Sequence, residues 1–246
     1  MPSPVQITCP TSGSTAEIAV DRGFNCFRYH AVNPASGLTL DVLDADPAFA
    51  EGAGRPSGHG IPILFPFPNR IRGGRYRWAK TEYVIPAAVA ADDGNGNAIH
   101  GFCLDRPWRV VALSKNSVRA EFQLSVDAPD RLKFWPCDAR IEICYRLDEN
   151  GLMAEITIEN PSREHELPWG FGTHPYFRLP LEPGGDPASC LVQVPAANQW
   201  ELVDCLPTGN RLDVDENCDL REGCPFDQLQ LDHVLTALEP AADGHL

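Results

Sequence analysis

The sequence predicts an all-β protein built of packed antiparallel sheets, on three observations. The first is strict alternation of apolar and polar residues. Val118, Ala120, Phe122, Leu124 and Val126 share one face of 118–126, and Ile141, Ile143, Tyr145 and Leu147 share one face of 139–147. After Asp148-Glu149-Asn150-Gly151 the pattern resumes with Leu152, Ala154, Ile156 and Ile158. A period of two is the mark of half-buried antiparallel strands. The second observation is Asn150-Gly151, a hairpin signal between the last two runs. The third is punctuation: 20 glycines and 23 prolines in 246 residues leave little room for long helices.

Taken in order, Ala16 to Val20 and Phe24 to Val32 read as strands, and Leu38, Leu40 and Val42 repeat the alternation. Only the stretch near 44–50 and roughly the last twenty residues could hold a short helix, and neither has good helical periodicity. The stretch from Gly60 to Trp78 places three prolines among large apolar residues, which excludes a central strand because proline donates nothing to the ladder. It reads as a stiff edge segment entering a hairpin with a Gly73-Gly74 turn. That turn would set Arg72 opposite Arg75 and Arg70 opposite Arg77. Like charges in those positions repel, so the arginines need carboxylates or a polar ligand. For Arg72, Arg75 and Arg77 a solvated, ion-paired face is expected, whereas Arg70 is held by the proline segment before it. No repeat or linker interrupts the chain, and one domain over 1–246 is expected.

Composition narrows the function. Residues 43% hydrophobic and 22% charged are those of a globular chain. A net charge of −14 repels phosphate backbones and anionic membranes, so no nucleic acid and no membrane is expected as partner. Nine cysteines, an odd number with no C-x-x-C pair, argue against a disulfide framework. No basic region followed by an apolar stretch opens the chain, and a cytoplasmic location is expected.

Two of the seven histidines stand out. His100 begins a new element after the loop from Asp92 to Asn97, at a loop mouth. His174 sits in Trp169-Gly170-Phe171-Gly172-Thr173-His174-Pro175-Tyr176-Phe177. Flat aromatic faces with a few polar groups suit an amphipathic ring such as a sugar. The same residues also suit a satisfied core histidine in an aromatic cluster, and residue types alone leave both readings open. For His30, His59, His165, His233 and His245 a surface position is the default. Glu164-His165-Glu166 matches no zinc pattern, and Pro168 breaks the helix such a pattern needs. No metal site is expected, and Gly94-Asn95-Gly96-Asn97 lacks the setting of a phosphate loop.

Four segments in order resemble the aldose 1-epimerase (galactose mutarotase) family. They are Pro66-Phe67-Pro68-Asn69-Arg70-Ile71 with Gly74, Ile99-His100-Gly101 with Trp108, Gly172-Thr173-His174-Pro175-Tyr176-Phe177, and Leu231-Asp232-His233-Val234-Leu235. The resemblance implies a large antiparallel β-sandwich that interconverts the α and β anomers of a hexose without a cofactor. It implies that Arg70, His100 and Asp232 hold sugar hydroxyls, that Asn69 supports Arg70, and that Tyr176 lines the pocket. It implies His174 as the acid that protonates the ring oxygen, and a glutamate as the base that deprotonates the anomeric hydroxyl. Ring opening, rotation about one bond and closure from the other face need an acid and a base on different sides of the ring.

In the family that glutamate stands in a Glu-Pro segment several strands beyond the Leu-Asp motif. Here Glu239-Pro240 follows Asp232 after only seven residues and is read as a loop. The expectation is therefore a domain incomplete at its C-terminus and lacking the glutamate. Two alternatives stand beside anomer exchange on a neutral hexose: a hexose 6-phosphate substrate, mildly favoured by the arginines, and sugar binding without turnover. Monomer and dimer both remain open.

Overall fold

In the sheets, the alternating side chains sort themselves onto one buried face. The structure, a computed structural model, describes residues 4–87, 89–182 and 184–240; His245 lies outside them. The described chain forms two compact units, Met1–Arg178 and Leu179–Leu246.

In the first unit, β1 (Val5–Thr8), β2 (Thr15–Ala19), β3 (Asn25–Val32) and β4 (Thr39–Asp41) form an antiparallel sheet in that order. Short ladders follow: β5 (Ile63–Leu64), β6 (Arg70–Ile71), β7 (Arg75–Trp78), β8 (Thr81–Val84), β9 (Ala91–Asp92) and β10 (Ala98–Ile99). A second antiparallel sheet comprises β11 (Arg109–Leu113), β12 (Ser117–Gln123), β13 (Arg140–Asp148) and β14 (Gly151–Glu159). Last comes β15 (Gly172–Thr173), which pairs with β5. The molecule is all-β, an antiparallel sandwich. Ile7, Ile18 and Cys26 from the first sheet, with Phe24 in the turn just before β3, share one core with Val118, Phe122, Ile141 and Tyr145 from the second. Phe24 bridges them, its ring 5.5 Å from Trp108 and 5.3 Å from Tyr145. Full burial of each large side chain contributes about 1.5–3 kcal/mol.

The β12 and β13 alternation is realised residue by residue: Val118, Ala120 and Phe122 are buried, as are Ile141, Ile143, Tyr145 and Leu147. The expected hairpin joins β13 to β14, with Asp148 opposite Gly151. Ile156 keeps the register, opposite Ile143, yet is exposed, while Leu152 and Ile158 of the same strand pack against the core.

Three expectations are corrected. Leu124 and Val126 do not continue the strand. The chain turns into helix α1 (Leu124–Asp127), burying Leu124 and exposing Val126. The cause is side-chain bonding at the turn: the Asp127 carboxylate accepts from Gln123 N at 2.7 Å and Asp138, thirteen residues on, accepts from Ser125 N at 2.8 Å. The Gly73-Gly74 hairpin does not form either. Arg72–Gly74 makes a 3-10 turn, and β7 pairs instead with β8, setting Arg77 opposite Glu82. Opposite charges thus replace the repelling pairs, and Arg75 reaches Glu82 at 3.2 Å. Gly74, at φ +63°, lies so close to Ile85 O that a Cβ would come within 2.4 Å. Finally, short helices form where none was expected, at Leu124–Asp127 and Pro129–Leu132, while the segment near 44–50 holds only the 3-10 turn Phe49–Glu51 and the described part of the last twenty residues contains the strand Val234–Leu238.

The second unit comprises β16 (Leu191–Val192), β17 (Ala196–Val203), β18 (Leu206–Asp213), β19 (Cys224–Pro225) and β20 (Val234–Leu238). β17 is central, with β18 and β20 antiparallel on either side. All nine cysteines are free, and burial pushes the Cys26 and Cys103 thiols up to about 12. No helix among the described residues is long and apolar enough to cross a membrane.

Candidate active site

Two connections built from unusual backbone bring the site together. After the proline segment, Asn69 adopts φ +57° and Arg70 enters β6, where it pairs with Ile99 of β10. The next residue, His100, has φ +65°, and its N–H donates to Asn69 O at 3.0 Å. Both are residue types that tolerate the left-handed region, which in folded proteins concentrates at functional sites. Gly101 follows at φ +81°, where a Cβ would stand 2.1 Å from Phe65 O. Only glycine fits, and that close approach holds His100 at the end of β10. From the other side, β15 leads into His174, whose N–H donates to Pro62 O at 3.2 Å, and Tyr176 N–H donates to Gly60 O at 2.8 Å.

The His100 and His174 ring centroids lie 6.1 Å apart, and His174 and Tyr176 lie 4.9 Å apart. The Tyr176 hydroxyl donates to Ser57 O at 2.9 Å. Arg70, His100 and Tyr176 line a cavity of roughly 470 Å³, within the range of small-molecule sites. Its other walls include Arg55, Ser57, Asp93, Asp105 and Arg131, all in the first unit.

Electrostatics divide the two histidines. Burial, then His174 and Arg70, bring His100 down to about 4. It is therefore neutral near pH 7, and its buried Nδ1 has no hydrogen-bond partner. His174 is exposed beside it. Arg70 donates from Nη1 to Asn69 Oδ1 at 2.9 Å and from Nε to Asp93 Oδ2 at 2.7 Å. A second pair, Arg131 and Asp105, is bidentate at 2.6 and 2.7 Å.

The structure thus gathers Asn69, Arg70, His100, His174 and Tyr176 around one place. Asp232 lies in the second unit, exposed, two residues before β20, and Glu239 follows that strand in a loop. Asp93, Asp105, Arg131 and Arg55 were not anticipated. For Asp93 a signal existed, since Asp-Gly-Asn-Gly-Asn can fold a carboxylate back onto its own backbone. Among the described residues, no group of three His, Cys, Asp or Glu is placed to hold a metal ion.

The family model for aldose 1-epimerase matches residues 35–242. The chain belongs to that family. Among curated relatives of this aldose 1-epimerase family member is the uncharacterised protein YihR of Escherichia coli (strain K12), 32% identical over 150 residues. That match covers 61% of this chain and 44% of YihR, so the chain spans less than half of that relative's length. A galactose mutarotase-like protein from Clostridium acetobutylicum superposes with a TM-score of 0.71 at 26% identity, over 84% of this chain and 60% of that one. An aldose epimerase homologue from C. elegans superposes with a TM-score of 0.73 at 21% identity, over 98% and 73%. The latter likeness is one of fold. The antiparallel sandwich is of the galactose-mutarotase type.

Proposed function

We propose that the cavity receives a hexopyranose of the galactose or glucose type and that the protein exchanges its anomers. The observation that carries this reading is the His100–His174–Tyr176 cluster: His100 and Tyr176 line the cavity with Arg70, and the His174 ring stands against both of them. Ring opening begins with protonation of the ring oxygen, a poor leaving group until then. His100, neutral at pH 7, is suited to hold a hydroxyl by hydrogen bonding, while His174 gives the ring oxygen its proton as the C1–O5 bond breaks and the anomeric hydroxyl releases its own proton to solvent water; closure from the other face reverses both transfers. Arg70, with donors fixed by Asn69 and Asp93, orients the hydroxyls, and the Tyr176 ring offers an apolar face to the sugar's C–H edge. Asp232 is proposed as a further hydroxyl-holding residue on the family resemblance alone.

One observation favours a second reading, sugar binding without turnover. Both carboxylates lining the cavity, Asp93 and Asp105, are committed to arginines, and neither is placed to act as the base. Polarimetry of freshly dissolved α-D-galactose and α-D-glucose separates the readings. Acceleration that falls at least about a hundredfold in His174→Ala supports anomer exchange, since a general acid typically contributes 10²–10⁴. Sugar-induced thermal stabilisation with no acceleration supports binding alone. A 6-phosphate arm tests the phosphorylated substrate.

A further inference from the structure

We propose that Asp93 is the positioning and specificity-determining residue of the cavity: paired with Arg70, it fixes the guanidinium and cancels its charge, so that the site selects neutral hydroxyls over anionic groups. The inference rests on the sugar-binding reading above.

Asp93 is held before it meets Arg70. Its side chain is 2% exposed. Oδ1 accepts from Asn95 N at 2.9 Å and Asn97 N at 3.1 Å, and Oδ2 accepts from Asn97 Nδ2 at 2.9 Å. Asn97 is itself buried and accepts at Oδ1 from Gly73 N at 2.9 Å, which ties the loop to the turn after β6. This cradle leaves the carboxylate little freedom, so the 2.7 Å bond to Arg70 Nε sets where the guanidinium lies. Asn69 takes Nη1, and Nη2 has no partner among the described residues.

An isolated arginine prefers a carboxylate, phosphate or sulfonate, with which it forms bidentate, charge-assisted bonds. Here that partner is already supplied, and what remains for a ligand is a directed N–H with little net charge behind it. Arg131 is treated the same way by Asp105. Arg55 is the one arginine lining the cavity without an ion pair among the described residues, and it is exposed to solvent, where a charge attracts weakly. An anionic sugar at Arg70 would meet the negative charge of Asp93, whereas a hydroxyl would not.

Isothermal titration of the full chain with D-galactose, D-glucose, D-glucose 6-phosphate and D-galacturonate, in wild type and Asp93→Asn, tests this. The two anions separate a phosphate from a carboxylate. In the wild type neutral sugars should bind at least about tenfold more tightly than the anions. In Asp93→Asn neutral-sugar affinity should fall about tenfold and anion affinity rise about tenfold. A purely structural role would weaken both classes alike. If Asp93→Asn does not fold by circular dichroism, Arg70→Lys takes its place: a point charge cannot hold Asp93 and Asn69 together, and neutral-sugar affinity should again fall about tenfold. An unchanged neutral-to-anion ratio in Asp93→Asn overturns the proposal, as does a wild type that prefers anions or, in the substitute arm, unchanged neutral binding. A wild type that binds none of the four sugars overturns the sugar-binding reading, and the proposal with it.

Discussion

Among the residues gathered at the cavity, His100 carries an electrostatic consequence that a stability measurement can read. Its folded-state value of about 4 lies below the ordinary histidine value of about 6.5, because the cationic form is poorly solvated in its surroundings and is repelled by His174 and Arg70. The unfolded chain therefore binds more protons than the folded one between those values. Stability is at its full level above about pH 6.5 and declines as pH falls toward about 4. His100→Asn removes the titration, so urea denaturation at pH 7 and pH 5 should show a smaller acid loss in the variant than in the wild type. Equal losses would show that His100 is not the group responsible. Asp93 acts in the opposite sense of charge: hydrogen bonds, from the Asn97 side chain first, hold its carboxyl well below the usual range. It remains ionised wherever His100 is neutral, and the Arg70 pair persists across the working pH range.

At the scale of elements, the site depends on backbone contacts between short ladders. Gly101 packs against Phe65, whose carbonyl accepts from Phe102 N at 2.8 Å. Gly101→Ala brings a Cβ into that carbonyl at a left-handed φ, and should destabilise the protein by about 3 kcal/mol while displacing His100. Thermal melts and sugar titration together check this; a variant as stable as the wild type with unchanged affinity would contradict the geometry. The longer strands were legible in advance because β12 and β13 bury alternate residues against a single core, and such burial writes a period of two into the sequence. The His-Gly and His-Pro-Tyr-Phe segments were legible as short motifs. The arginine turn was not, because whether Gly73-Gly74 closes a hairpin depends on Asn97 and Ile85, far along the chain. Nor was the end of β12, where Asp138 caps Ser125 from thirteen residues away. The turn around Asp93 is written in Asp-Gly-Asn-Gly-Asn, but its pairing with Arg70 is not, because the two lie 23 residues apart and local pattern carries no record of such pairings.

For the whole molecule, the sandwich core, the cavity and the short ladders that lead into Arg70, His100 and His174 lie in the same unit. Ligand binding should therefore appear as global stabilisation. Galactose at a hundred times its dissociation constant would add about 2.7 kcal/mol and raise the melting temperature, an effect absent in Arg70→Ala. The central claim is that His100 and His174 face one sugar. The direct measurement is a galactose titration followed through the histidine ring ¹⁵N signals, with His30 and His165 as internal references. If both histidines face one sugar, the His100 and His174 signals move together and saturably while the references stay fixed. Movement of neither, or equal movement of all four, would contradict it.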